Sequence, residues 1–213
     1  IYVFTHDSFY VGEDGPTHEP VEQMASLRCM PNMTVIRPAD PTEAAAAWIA
    51  ALKNKTGPTA LLFTRQNLAV IDRAKYPPAS SVEQGAYTLW QSNPAGDPAL
   101  LLLASGSEVE IALQAAQELA KDICVRVVSM PSWELFEKQP EAYRHSVLPP
   151  SCRKRLAVEA GISFGWAKYI GPEGRTVCMD HFGASAPYKV LAEKFGFTVG
   201  NVVAVARQVM QTK

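Results

Sequence analysis

The chain has 213 residues, 47% of them hydrophobic and 19% charged, a composition too apolar for a disordered segment. At roughly 150 residues per domain this length allows one large domain or two small ones. A formal charge of -1 argues against a nucleic-acid partner, and no apolar run approaches the roughly 20 residues needed to span a bilayer, which argues against a membrane.

In chain order, the opening Ile1-Tyr2-Val3-Phe4-Thr5 has no initiator Met, basic region or cleavage site, so it reads as a strand cut from something longer and not as a signal peptide. A polar loop over 6–20 follows, with Gly12, Gly15 and Pro16. A short helix is expected over 21–30, closed by Pro31-Asn32, and the β-rich run over 34–37 reads as a buried strand. The best-signalled helix of this half has Asp40 as N-cap, Pro41 at its first position and Glu43 three residues after the cap, and runs to Lys53 before Gly57-Pro58. Another apolar strand occupies 59–63. Strands separated by helices imply an α/β fold with a mostly parallel sheet.

Apolar periodicity then fades over 67–98, where Pro77-Pro78, Ser80-Ser81 and Asn93-Pro94 accumulate. The division expected is a first unit over 1–75, a linker with a little extended structure over 76–96, and a second α/β unit over 97–213. The second unit opens with a strand over 99–104. Ser107 is placed to cap a helix with Glu110 as its capping-box partner, and Val109, Ala112, Leu113, Ala116 and Leu119 or Ala120 supply the inward stripe. A strand over 125–130, an irregular helical stretch to about 147, short strands over 156–158 and 177–179, and helices over 185–195 and 198–210 complete it.

In open parallel sheets, the loops leaving the carboxyl ends of strands line the ligand crevice. The loop after the first strand is the densest set of candidates: Thr5-His6-Asp7-Ser8, then Gly12-Glu13-Asp14-Gly15-Pro16-Thr17-His18-Glu19, with two of the four histidines and no Lys or Arg over 1–27. Imidazoles beside Asp14 suit hydroxyl and phosphate recognition and proton shuttling; alternatively, His6 and His18 only satisfy backbone groups in a tight turn. Thr64-Arg65-Gln66 places a guanidinium at the same crevice, able to bind phosphate bidentately with His6, unless Arg65 is a surface residue paired with Asp72 or Glu83. Ser105-Gly106-Ser107 has the form of a phosphate-binding turn, but Glu108 and Glu110 already occupy the positive helix end and a second phosphate glycine is missing. Asp180-His181-Phe182-Gly183 with Ser185 lacks the Gly-x-Ser-x-Gly elbow of a hydrolase. The cysteines Cys29, Cys124, Cys152 and Cys178 are far apart without ligand spacing, the pattern of free thiols in a reducing cytoplasm.

Taken together and in order, Thr5-His6-Asp7-Ser8, Gly12-Glu13-Asp14-Gly15-Pro16-Thr17-His18, Pro31-Asn32-Met33, Arg37-Pro38-Ala39-Asp40, Thr64-Arg65-Gln66 and Asp180-His181-Phe182-Gly183-Ala184-Ser185-Ala186-Pro187 resemble transketolase over essentially the whole chain. The resemblance implies the second half of a pyrimidine-binding domain over 1–75 and the transketolase C-terminal domain over 97–213. It implies a thiamine-diphosphate enzyme of the pentose phosphate pathway, cytoplasmic and homodimeric, which moves a two-carbon ketol unit between sugar phosphates. His6 and Arg65 would grip the phosphate, Asp14 would read a hydroxyl, and His18, at the donor's C1 hydroxyl, would be the catalytic group. The family's catalytic glutamate, its ring-stacking aromatics and its diphosphate domain with Mg2+ (or Ca2+) do not match any part of this chain. No cofactor-binding or metal-binding residue is therefore assigned, and the isolated piece is expected to bind no cofactor and to be inactive. The remaining alternatives are the small subunit of a split transketolase or related thiamine enzyme, and a non-catalytic assembly or regulatory module.

Overall fold

Alternate residues of the strand Thr59–Phe63 face two different cores, and this period-two pattern lays out the first unit. In the computed structural model, which describes residues 1–211, three parallel strands are β1 (Tyr2–Thr5), β2 (Thr34–Ile36) and β3 (Thr59–Phe63), in the order β1-β3-β2. Ala60 and Leu62 pack with Val35 and with Met24 of α1 (Gln23–Arg28) on one side. Leu61 packs with Ile36 and with Ala46, Ala47 and Ala51 of α2 (Pro41–Lys53) on the other. The start of α2 follows the sequence signal: the Asp40 carboxylate accepts from the Glu43 N–H at 2.8 Å, with Pro41 in the first turn. β1 forms one edge of this sheet, and Ile1, Tyr2, Val3 and Phe4 are 45–55% exposed.

The second unit is built on Leu100-Leu101-Leu102-Leu103, all fully buried, as expected for a central strand covered on both faces. Its sheet runs β4 (Tyr87–Gln91), β6 (Val125–Ser129), β5 (Leu100–Ala104), β7 (Arg155–Val158), β8 (Arg175–Val177). β4 is antiparallel to β6 and the remaining pairs are parallel. Leu100 and Leu102 meet α3 (Glu108–Leu119) and α8 (Val199–Gln211), through Ala112, Ala116, Val202 and Ala206. Leu101 and Leu103 meet Trp133 and Phe136 of α4 (Trp133–Glu137), together with Trp166 and Tyr169, the latter on α6 (Ala167–Ile170). Two further helices are α5 (Glu141–Val147) and α7 (Tyr188–Lys194).

Three local expectations differ from what forms. Within the stretch read as a linker with a little extended structure over 76–96, residues Tyr87–Gln91 form β4: Tyr87 and Leu89 are buried, and Trp90 beside Leu89 breaks the polar–apolar alternation in the sequence. Ser107 does not cap α3, because its backbone is already helical and its hydroxyl donates to the Glu108 carboxylate at 2.6 Å. The helix expected from 185 begins at Tyr188, since Ser185 and Pro187 are spent on a turn against the first unit. The cysteines Cys29, Cys124, Cys152 and Cys178 are all free. No helix among the described residues is long and apolar enough to cross a membrane.

Candidate functional site

His6 leaves the tip of β1 and Thr64-Arg65 leaves the tip of β3. These strands are parallel neighbours with Thr5 opposite Phe63, so both residues emerge at the same end and level of the sheet. His6 has φ 62°, in the left-handed region, and its Nδ1 shares a 2.9 Å hydrogen bond with Thr5 Oγ1. A non-glycine residue there costs on the order of 1 kcal/mol and persists only where its surroundings enforce it. His6 is exposed and, with Phe4, Met24, Leu27 and Leu62, lines a cavity of about 460 Å³. Arg65 is exposed and has no hydrogen bond or ion pair among the described residues. The two carboxylates that would neutralise it are engaged elsewhere, Asp72 with Lys75 at 3.2 Å and Glu83 with Lys53 at 2.7 Å.

Asp14 and His18 sit further along the loop, which winds through successive turns: Gly12 N–H to Phe9 O, Gly15 N–H to Gly12 O and His18 N–H to Gly15 O, at 3.0–3.1 Å. Both side chains are exposed, and His18 Nδ1 shares a 3.0 Å hydrogen bond with Thr17 Oγ1. His6 and Arg65 are thus brought to adjacent strand tips. Asp14 and His18 share their loop, with no hydrogen bond or ion pair to that first pair among the described residues.

What sequence reasoning missed is the support behind these groups. Arg37, which follows β2, is fully buried. Its Nε donates to Asp7 Oδ2 at 2.7 Å and its Nη1 to Ser105 O at 2.8 Å, and it pairs with Glu108. Burial opposes the charge on Arg37, but Asp7, Glu108 and Glu159 outweigh it and hold the guanidinium ionised. Glu159 takes both terminal nitrogens of Arg28 at 2.8 Å, Trp166 Nε1 at 2.8 Å and Ser105 Oγ at 2.5 Å. Burial raises the Glu159 carboxyl, yet Arg28 and Arg37 more than offset this and bring it below the usual glutamate range. Because Asp7 is the residue after His6, this network ties the strand-tip loop to the second unit. Apart from Trp166, seven positions from Glu159, its partners lie 30 to 131 positions apart, and no local pattern announces them.

The other motifs take structural roles. The Ser105-Gly106-Ser107 turn is filled by Arg37: Gly106 has φ +58°, and a Cβ there would lie 2.4 Å from Arg37 Cζ. Asp180 accepts from Ser163 N–H at 3.0 Å, and the His181 ring packs edge-on to Phe195 at 4.9 Å. A diphosphate–metal cofactor head needs clustered oxygen ligands, and no group of three or more His, Cys, Asp or Glu among the described residues is placed to hold a metal ion. These residues by themselves do not supply such a cluster; the exposed imidazoles, carboxylate and guanidinium can exchange hydrogen bonds with a polar small molecule.

Comparison with known proteins gives two family matches, the transketolase pyrimidine-binding domain over residues 1–70 and the transketolase-like C-terminal domain over residues 85–198. A transketolase of Halalkalibacterium halodurans is 55% identical over all of this chain, which spans 32% of that relative's length. Among solved structures, a transketolase from Leishmania mexicana superposes with a TM-score of 0.90 at 47% identity, over 98% of this chain and 30% of that one. A Pichia stipitis transketolase determined in complex with sedoheptulose 7-phosphate superposes with a TM-score of 0.89 at 37% identity, over 97% and 29%.

Proposed function

This chain belongs to the transketolase family, and we propose that it supplies the sugar-phosphate-facing wall of a transketolase, in which a two-carbon ketol unit passes from a ketose phosphate to an aldose. The observation that carries the reading is the unpaired Arg65 guanidinium one strand away from His6, at the same end of a parallel sheet. A fork of N–H donors free of carboxylates, with an imidazole on the neighbouring strand tip, is suited to a phosphate dianion. Support for the ligand class comes from the relative solved with a sugar phosphate.

In this account His6 and Arg65 bind the phosphate end, Asp14 accepts a hydrogen bond from a sugar hydroxyl, and His18 orients the reacting end and exchanges a proton with a hydroxyl there through its ring nitrogens. Thiamine diphosphate with Mg2+, in a homodimeric full-length enzyme, would supply the carbanion stabilisation; this chain spans 32% of the Halalkalibacterium halodurans relative's length. The proposed setting is the cytoplasmic pentose phosphate pathway, with residues 1–75 and 97–213 as the two domains and the 213 residues alone inactive.

The test is Arg65→Ala in the full-length enzyme. KM for phosphorylated sugars should rise roughly ten- to a hundredfold, the value of a charged hydrogen bond, with little change for unphosphorylated ones. Equal effects on both would reject the assignment.

A further inference from the structure

The loop that carries Asp14 and His18 is seated on the turn before α7. Ser185 Oγ donates to Glu13 O at 2.5 Å, and a methyl added at Gly15 would meet Ser185 Cβ at 3.3 Å. Glu19, next to His18, is 5% exposed, and both its carboxyl oxygens are buried without a hydrogen-bond partner of acceptable geometry. The carboxyl lies against Gly183, where an added Cβ would fall 1.5 Å from Oε2, so a larger residue there would displace it. The charged groups on the two segments that meet here are Glu13, Asp14, His18 and Glu22 on one side and Asp180, His181 and Lys189 on the other; none forms an ion pair with Glu19 among the described residues. A carboxylate without a cation or a well-made hydrogen bond is expensive to bury, and burial shifts the balance toward the less costly neutral acid.

We propose that Glu19, buried against Gly183, is the positioning residue that holds Asp14 and His18 in register for the transfer reaction. This rests on the reading of the loop as the substrate wall. Burial accordingly moves the Glu19 carboxyl above the usual glutamate range, partly countered by the backbone N–H groups of Ala184 and Gly12. A group raised in this way stabilises the seated loop fully below its ordinary pKa and loses that contribution as pH rises through the shifted one.

The experiment uses the full-length enzyme with Glu19→Gln and Glu19→Ala. Glutamine copies the neutral acid, so Glu19→Gln should keep kcat/KM within about twofold on the acid side and lose the falling limb that wild type shows as Glu19 ionises. Alanine leaves the loop unseated and should cost on the order of a hundredfold in kcat, the usual penalty of an ångström-scale displacement, with faster amide exchange over 12–19 and unchanged exchange in β5. A Glu19→Gln enzyme as impaired as Glu19→Ala, or one that keeps the wild-type limb, overturns the proposal. If Glu19→Ala does not fold, the Glu19→Gln pH profile decides alone. Exchange over 12–19 is read without substrate, so it reports seating even if Arg65→Ala shows that the phosphate assignment is wrong.

Discussion

Gly106 and Arg37 show how much of this site depends on single buried atoms. The glycine holds φ +58° and has no room for a side chain, because the guanidinium that binds Asp7 and Glu108 lies where a Cβ would go. Gly106→Ala therefore combines left-handed strain with displacement of a buried ion pair. A loss of about 3 kcal/mol in unfolding free energy is expected, measured by denaturant titration of the full-length enzyme. A change below about 0.5 kcal/mol, typical of an unconstrained surface site, would contradict the described packing. Part of the residue-scale picture was legible from sequence: His6 and Arg65 follow apolar strands, and chemistry in parallel sheets gathers at strand tips. Arg37 was legible only as part of a family motif, because its partners come from distant segments of the chain.

Among the elements, α2 was the most readable, since Asp40, Pro41 and Glu43 are cues that act within one turn. The structure gives two of them a second task. The Asp40 carboxylate also accepts from Ile71 N–H at 2.9 Å and pairs with Arg73 at 3.1 Å, and Glu43 accepts from Ser129 Oγ at 3.0 Å and from the Tyr87 hydroxyl. Asp40→Ala should thus cost more than the ~1 kcal/mol of an ordinary cap, about 2–3 kcal/mol in all, read as a lowered midpoint in urea. A loss near 1 kcal/mol would mean that the Ile71 and Arg73 contacts add nothing. β4 was hidden by the opposite circumstance. Its neighbours are proline-rich, apolar Leu89 and Trp90 are adjacent, and it gains its place by pairing with β6 across the sequence.

For the whole molecule, the two units are joined by buried charge as well as apolar packing: Arg28 reaches Glu159, Arg37 reaches Glu108, and the Glu134 carboxylate accepts from Val35 N–H at 3.1 Å. This junction has a pH signature. Glu159 lies below its ordinary value of 4.5, so its stabilising contribution is present above that value and is lost as pH falls through the lowered one. Glu159→Gln should cost about 3–5 kcal/mol at neutral pH, by leaving Arg28 buried without its charge partner, and the difference from wild type should shrink as acid protonates Glu159. A gap independent of pH would show that the carboxylate's charge is not what joins the units. Two α/β units with mostly parallel sheets could be read from the alternation of strands and helices. Their docking could not, because it depends on pairs such as Arg28 and Glu159 that only the folded chain brings together.

In the proposed function, His6 and Arg65 hold one phosphate between adjacent strand tips. This is tested most directly by a crystal structure of the full-length enzyme soaked with a ketose phosphate. Phosphate oxygens are expected within about 3.2 Å of both the His6 ring and the Arg65 guanidinium. A phosphate bound elsewhere, with these two side chains still in solvent, would contradict it.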